Sequence, residues 1–268
     1  MKPWAINMKK ILTLFWHLLR VNVKYFLEYR ISLLISLFLT FFWVLSYIVF
    51  VEVIFHNIDS LAGLNKGQVL LILSFYYLFT TIANIPYRDN FENFAETMRR
   101  GELDFILVKP VPHRMMCFLH KMRLDFLSSF AIVAMTMIYA YQFLEESVSL
   151  IPLLIGILYS IIGSVIFYSL LSIIASLAFW VSKNDTLGVL IWNFSQIARY
   201  PRGIFSESIQ KIFTFILPFA LLANIPAEIT AQIIEPKMML YTILTTVLIY
   251  IFSLLLWNTG IKRYSSAN

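Results

Sequence analysis

Few side chains in this sequence could do chemistry. His113, Cys117 and His120 stand at spacings of four and three, and a thiol between two imidazoles is the raw material of a metal site or an activated nucleophile. One cysteine and four scattered histidines in the whole chain supply too few ligands for a zinc centre and exclude an intramolecular disulfide. The group is therefore expected to be a thiol on a basic helix at a membrane edge, with no metal and no catalytic role. Glu102 and Asp104 form the other candidate, a carboxylate pair of the kind used for acid–base work. Arg99, Arg100 and Lys109 flank them, so they read as surface ion partners. No Gly-x-x-x-x-Gly-Lys phosphate loop is present, the run Gly63–Gly67 being too short, and neither His-Glu-x-x-His nor Gly-x-Ser-x-Gly occurs. No catalytic residue is assigned.

Composition points to a lipid solvent. Of 268 residues, 60% are hydrophobic and only 13% charged, with a mean hydropathy of +0.78, where soluble domains are about half apolar and a quarter charged. The net charge of +6 is not gathered on one polar face, which argues against a nucleic-acid partner. Lys9 and Lys10 before the apolar run 11–19 imitate a signal peptide, but His17, Arg20 and Lys24 follow too soon and no small-residue cleavage site precedes Arg30. Residues 1–30 are expected to form an amphipathic arm in the lipid interface, with Phe15, Trp16, Tyr25 and Phe26 at headgroup level.

Beyond the arm, the elements read as an all-α, polytopic integral membrane protein with six transmembrane helices over 31–268. Spans are predicted at 31–55, 69–86, 126–144, 150–181, from Asp185 to a break at Pro201, and at 238–257. Gly156, Ser160, Ser164, Ser172 and Ser176 put small residues on one face of the fourth, a surface for close packing within the subunit. The run 209–225, interrupted by Pro218 and followed by Pro226, either spans or dips and returns. Charge decides. With six spans, 200–237 becomes an external re-entrant hairpin, and sixteen of the 21 Lys/Arg fall on the side holding both termini.

Between the second and third spans lies a charged stretch, 87–125, with seven Lys/Arg and six Asp/Glu. Phe91, Phe94, Ala95 and Met98 fall at i, i+3, i+4 and i+7, so a short amphipathic helix is predicted, capped by Asp89 or Asn90. Arg99 and Arg100 suit its last turn and Gly101 the left-handed position beyond it, before the rigid Lys109-Pro110-Val111-Pro112. In the fifth span Asn193, Gln196 and Arg199 recur at i, i+3 and i+6 beside Trp192. Such groups avoid lipid, so this face is expected to line a translocation path or dimer interface.

This order of elements resembles the permease subunit of type-2 ABC exporters, in a poorly characterised branch of that class. Met98-Arg99-Arg100-Gly101-Glu102-Leu103-Asp104 running to Leu107-Val108-Lys109-Pro110-Val111 is similar to the family's Gly-x-Leu-Asp … Leu-x-x-Pro segment after the coupling helix. Tyr200-Pro201 … Phe205 and Leu217-Pro218 … Ile225-Pro226-Ala227 are similar to its external hairpin. The resemblance implies a bacterial, multi-pass plasma-membrane subunit with both termini cytoplasmic. It further implies a second permease copy or sister subunit, a hydrophobic or amphipathic substrate such as a drug, lipid or glycan, and separate ABC ATPase subunits that bind the ATP and Mg. In that reading Phe91, Phe94 and Met98 dock into the ATPase, while Arg99, Arg100, Gly101, Glu102 and Asp104 position the contact. The alternatives are an ATP-independent membrane enzyme or assembly factor, or a passive channel. They lack, respectively, a cluster of ionisable groups within the spans and a ring-forming charged series.

Overall fold

The computed structural model describes residues 8–28, 30–109, 111–144, 149–181 and 185–264, and among them the only β-type pairing is one bridge between Leu61 and Leu64. Helix α1 (Met8–Glu28) leads into α2 (Arg30–Phe55), and α3 (Lys66–Glu92) returns to three short helices, α4 (Phe94–Arg99), α5 (Glu102–Leu107) and α6 (His113–Leu119). A 3-10 turn (Leu124–Ser128) opens α7 (Ser129–Tyr141), and α8 (Leu150–Leu177) is followed by α9 (Asp185–Ser195) with its own 3-10 turn (Gln196–Arg199). Then come α10 (Glu207–Lys211), a π-turn (Ile212–Ile216), α11 (Ala220–Thr230) and α12 (Pro236–Arg263). Among the described residues five stretches are long and apolar enough to cross a membrane: Leu34–Phe55, Lys66–Arg99, Leu124–Tyr141, Leu150–Leu177 and Pro236–Arg263.

The expected fifth span is the short one. Eleven α-helical residues and four in a 3-10 turn reach about 24 Å, less than the ~30 Å of hydrocarbon. A bent helix pair is a further candidate by length and composition. Glu207–Ile216 and Ala220–Thr230 meet at 98° around Pro218, and every residue of α11 is buried, wedged between α3 and α8. Small residues of α8 allow that approach. A Cβ at Gly156 would overlap Thr230 Oγ1 and come within 2.8 Å of the Pro226 carbonyl oxygen, and one at Gly163 would lie 3.2 Å from Leu222 Cα. The small-residue face is thus packing within the subunit, as expected. Gly163 sits thirteen residues from the start of α8, which places Leu222 about 20 Å down that helix at 1.5 Å per residue.

Helix α3 corrects the expectation that Pro86 ends the second span. It starts at a capping box in which the Gln68 N–H donates to Asn65 Oδ1 (2.9 Å) and the Asn65 N–H to Gln68 Oε1 (3.0 Å). It then runs through the proline to Glu92. From outside the helix the Arg123 N–H donates to the Ile85 carbonyl at 2.8 Å, and from within it Asn90 Nδ2 donates to the Pro86 carbonyl at 2.8 Å. Asn90 is therefore no cap. It binds Lys121 through both N–H and C=O, while Asn22 of α1 does the same for Met122 N–H (2.9 Å) and His120 C=O (3.0 Å). These two amides fasten the 120–123 loop, and with it the basic arm, to one end of the bundle. That end, also holding the C-terminus of α12, is called the basic end below; the opposite one is the hairpin end.

Candidate functional site

At the basic end the amphipathic stripe turns inward. Phe91 (8% exposed) and Phe94 (2%) belong to an aromatic nest with Phe118, Tyr168, Phe179 and Trp257. Phe91 stacks on Phe118 at 4.3 Å between ring centres, and Phe94 meets Trp257 of α12 at 5.6 Å. The expectation that these two rings dock into another protein is corrected: their own subunit covers them. Met98 is half-buried, while Arg99, Arg100 and Glu102 are exposed. Glu96 holds both arginines, at 2.6 Å and 2.7 Å, and Gly101 turns the chain with φ of +70°. Beyond it α5 buries Leu103 and exposes Phe105 (70%) and Val108 (81%). This tip offers two apolar side chains among Arg99, Arg100, Glu102 and Lys109. Sequence reasoning missed Phe105 and Val108 because only the fold shows that Leu103 turns in and Phe105 out.

The group His113, Cys117 and His120 does not form a metal site, and among the described residues no cluster of three His, Cys, Asp or Glu side chains could hold one. Cys117 is buried, and burial pushes its thiol up to about 12. Burial likewise lowers His120 below the usual imidazole range and keeps it neutral at pH 7. Arg123 lies within a fork of hydrogen bonds to Asp125 (2.8 and 2.9 Å) with Asp89 at 3.5 Å, and these carboxylates raise it further above its ordinary value.

Arg114, the second residue of α6, was not singled out by sequence. Its Nη2 donates to Ser172 Oγ of α8 (3.0 Å) and Ser253 Oγ of α12 (2.7 Å), and its guanidinium lies 5.0 Å from the Tyr168 ring centre and 5.3 Å from that of Tyr250. The signal available in the sequence was a Tyr and a Ser one turn apart in each of two apolar helices.

The expected path face runs along α9 and its 3-10 turn. Trp192 packs on Phe167 at 4.8 Å and takes the Arg88 guanidinium at 5.4 Å. Asn193 is exposed, and Gln196 donates to its Oδ1 at 3.4 Å. Arg199 lies over the ring of Tyr47 at 4.1 Å, with Tyr200 at 5.1 Å. The structure thus strings Arg88, Trp192, Asn193, Gln196 and Arg199 along one polar seam, and adds Tyr47, which the sequence did not mark, and Tyr200, which it marked only as part of the hairpin. Just beyond, Asn224 of α11 staples the turn: its Oδ1 accepts the Arg202 N–H at 2.8 Å and its amide donates to the carbonyls of Ala198 (3.1 Å) and Tyr200 (3.2 Å). Arg202 pairs with Glu228 at 2.9 Å.

The described helices form a multi-pass bundle with an exposed charged tip at one end and a helix pair bent by 98° at the other. Residues 41–268 match the family described as ABC-2 family transporter protein, and the chain belongs to that family. No curated protein and no solved structure matches it.

Proposed function

We propose that this chain is the permease subunit of an ATP-driven exporter in a bacterial plasma membrane. Two copies, or this chain and a sister permease, enclose the path, and separate ATPase subunits bind ATP and Mg on the cytoplasmic side. What carries the reading is the family match, continuous over 41–268 and including both the exposed tip and the polar seam. The basic end faces the cytoplasm, because most Lys/Arg gather there, and the hairpin end faces out. The ATPase contact moves from the buried rings to the tip: Phe105 and Val108 supply apolar contact, Arg99, Arg100 and Glu102 orient it, and Gly101 permits the turn. Phe91 and Phe94 transmit the push, since they bridge the tip to α8 and α12 through the aromatic nest. A partner can shift a two-state membrane domain only by binding its states differently, and a tip packed rigidly onto two spans gives it the means. The substrate is hydrophobic or amphipathic and moves along the face bearing Trp192, Asn193, Gln196 and Arg199. Purification of the tagged full-length chain from its native membrane, with identification of what accompanies it, tests the proposal. An ATPase carrying a phosphate loop is expected in comparable amount; its consistent absence would remove the exporter reading.

A further inference from the structure

Arg199 is a cation held by its faces and not by its edge. The Tyr47 ring at 4.1 Å and the Tyr200 ring at 5.1 Å attract the guanidinium through their negative faces. Ring faces do not take up the five N–H groups, which lie in the plane of the fork. Among the described residues Arg199 forms no ion pair and no hydrogen bond, and its Nε is buried without a partner. Glu228 of α11 and Glu52 of α2 are committed elsewhere, Glu228 to Arg202 at 2.9 Å, and Glu52 to Lys66 at 2.6 Å and Tyr139 Oη at 2.7 Å. The site is also deep. Tyr47 precedes the end of α2 by eight residues, about 12 Å along the helix at 1.5 Å per residue. At that depth an uncompensated cation is costly and marks a functional position.

The surroundings favour one kind of ligand. Gln196 and Asn193 continue the polar seam one and two turns away, and the apolar side chains beside them, Val189, Leu190 and Phe194, are exposed. A planar guanidinium with free in-plane donors matches two oxygens of a phosphate-type group, and the exposed apolar side chains beside it match an acyl or alkyl chain. We propose that Arg199, framed by Tyr47 and Tyr200, binds the anionic phosphate headgroup of an amphiphile, whose tail lies along α9. This deepens the exporter reading by naming the charge of its substrate, and it is tested without any ATPase, so failure of one does not imply failure of the other.

The experiment uses the full-length chain in phosphatidylcholine nanodiscs, with dodecyl phosphate as probe, dodecyltrimethylammonium as its cationic counterpart and inorganic phosphate as competitor. Saturable binding of dodecyl phosphate is expected, weakened at least tenfold by Arg199→Gln and less by Arg199→Lys, which keeps the charge but not the fork. Dodecyltrimethylammonium should bind more weakly than dodecyl phosphate and be indifferent to both variants. Equal dodecyl phosphate affinity in wild type and a folded Arg199→Gln variant would overturn the proposal. If the Gln variant does not fold, equal affinity in Arg199→Lys does the same. Competition by inorganic phosphate at equal concentration would overturn the assignment to an amphiphile. If Arg199→Gln converts a dimer to a monomer and the wild type takes up no dodecyl phosphate, the fork serves a second copy of the chain, and the proposal falls.

Discussion

Two guanidiniums sit among apolar helices, one toward each end of the bundle, and they are held differently. Arg114 lies between two tyrosine rings and also donates to Ser172 and Ser253, so that it joins α6 to α8 and α12. Arg199 lies between two tyrosine rings and donates to nothing in the described chain. Neither has a carboxylate partner among the described residues. Rings hold a guanidinium by its faces, and hydrogen bonds are what turn it into a structural tie. The basic end is tied shut: Asn22 and Asn90 clasp the 120–123 loop, Arg114 pins two spans, and the aromatic nest fills the space between. Both cations keep unpartnered buried nitrogens, Nε and Nη1 at Arg114 and Nε at Arg199, but only Arg114 also ties helices together.

The largest effect should come from breaking the tied end. Phe94→Asp puts a carboxylate at a position 2% exposed, against Phe118, Phe179 and Trp257. The expected loss is about 4 kcal/mol or more, the range of an unpaired buried charge combined with a lost core ring. It should appear as poor accumulation and a lower Tm in detergent. An inserted Phe94→Asp variant of normal Tm would show that the nest opens readily.

Next in size is the direct comparison of the two cations. Arg114→Ala removes both ties and leaves a cavity between α8 and α12, and should lower stability by about 2 kcal/mol. Arg114→Met, which refills the space without the charge, should recover most of that, as buried ions replaced by packed apolar groups often do. Arg199→Ala forfeits ring contact but also removes an uncompensated cation, so its net loss should be smaller, under about 1 kcal/mol. Thermal melts of the three variants decide. Equal loss at the two positions would mean that Arg199 is as structural as Arg114.

The third substitution should leave stability almost unchanged. Phe105→Asp alters a side chain that is 70% exposed, so its melt should match wild type within about 0.5 kcal/mol. In the reconstituted complex the same change should separate ATP hydrolysis from transport. Normal transport by Phe105→Asp would place the ATPase contact elsewhere than the tip.

How far the sequence could lead depended on whether the deciding contact was local. The stripe Phe91, Phe94, Ala95, Met98 was visible as a periodicity, and Gly101 as a left-handed position, because both are properties of a few consecutive residues. A stripe does not say what covers it, and here α8 and α12, far along the chain, take the place imagined for a partner. Pro86 shows the same limit. The rule that proline ends a helix is local, while the Arg123 N–H that binds the Ile85 carbonyl comes from 38 residues further along the chain. The break in the run was legible from Pro218, yet the packing of α11 depends on Gly156 and Gly163 meeting it across the bundle. Arg199 was picked out as a costly charge in an apolar run, but Tyr47, its closest ring, lies about 150 residues upstream, beyond any periodicity argument.

The smallest expected effect gives the finest test of shut against open. Cys117 is one turn from Arg114 on α6, and burial pushes its thiol up to about 12 from 9.0. The thiolate is the reactive form, so the folded chain at pH 8 should not react with a water-borne thiol reagent, and a labelling signal near zero is expected. The sign of the pH dependence follows. Between about 9 and 12 the unfolded chain has released the Cys117 proton and the folded chain still holds it, so unfolded molecules bind fewer protons and stability falls as pH rises through that window. Slow labelling above pH 9 would then report opening of the tied end, and Arg114→Ala should accelerate it at constant pH. The opposite behaviour is expected at the seam. Asn193→Cys in a Cys117→Ser background occupies an exposed position, beside Gln196, and should label promptly at pH 8 with no dependence on Arg114. Prompt labelling of Cys117 in the wild-type chain, or protection of Asn193→Cys, would erase the distinction between an end held by hydrogen bonds and a seam held by rings.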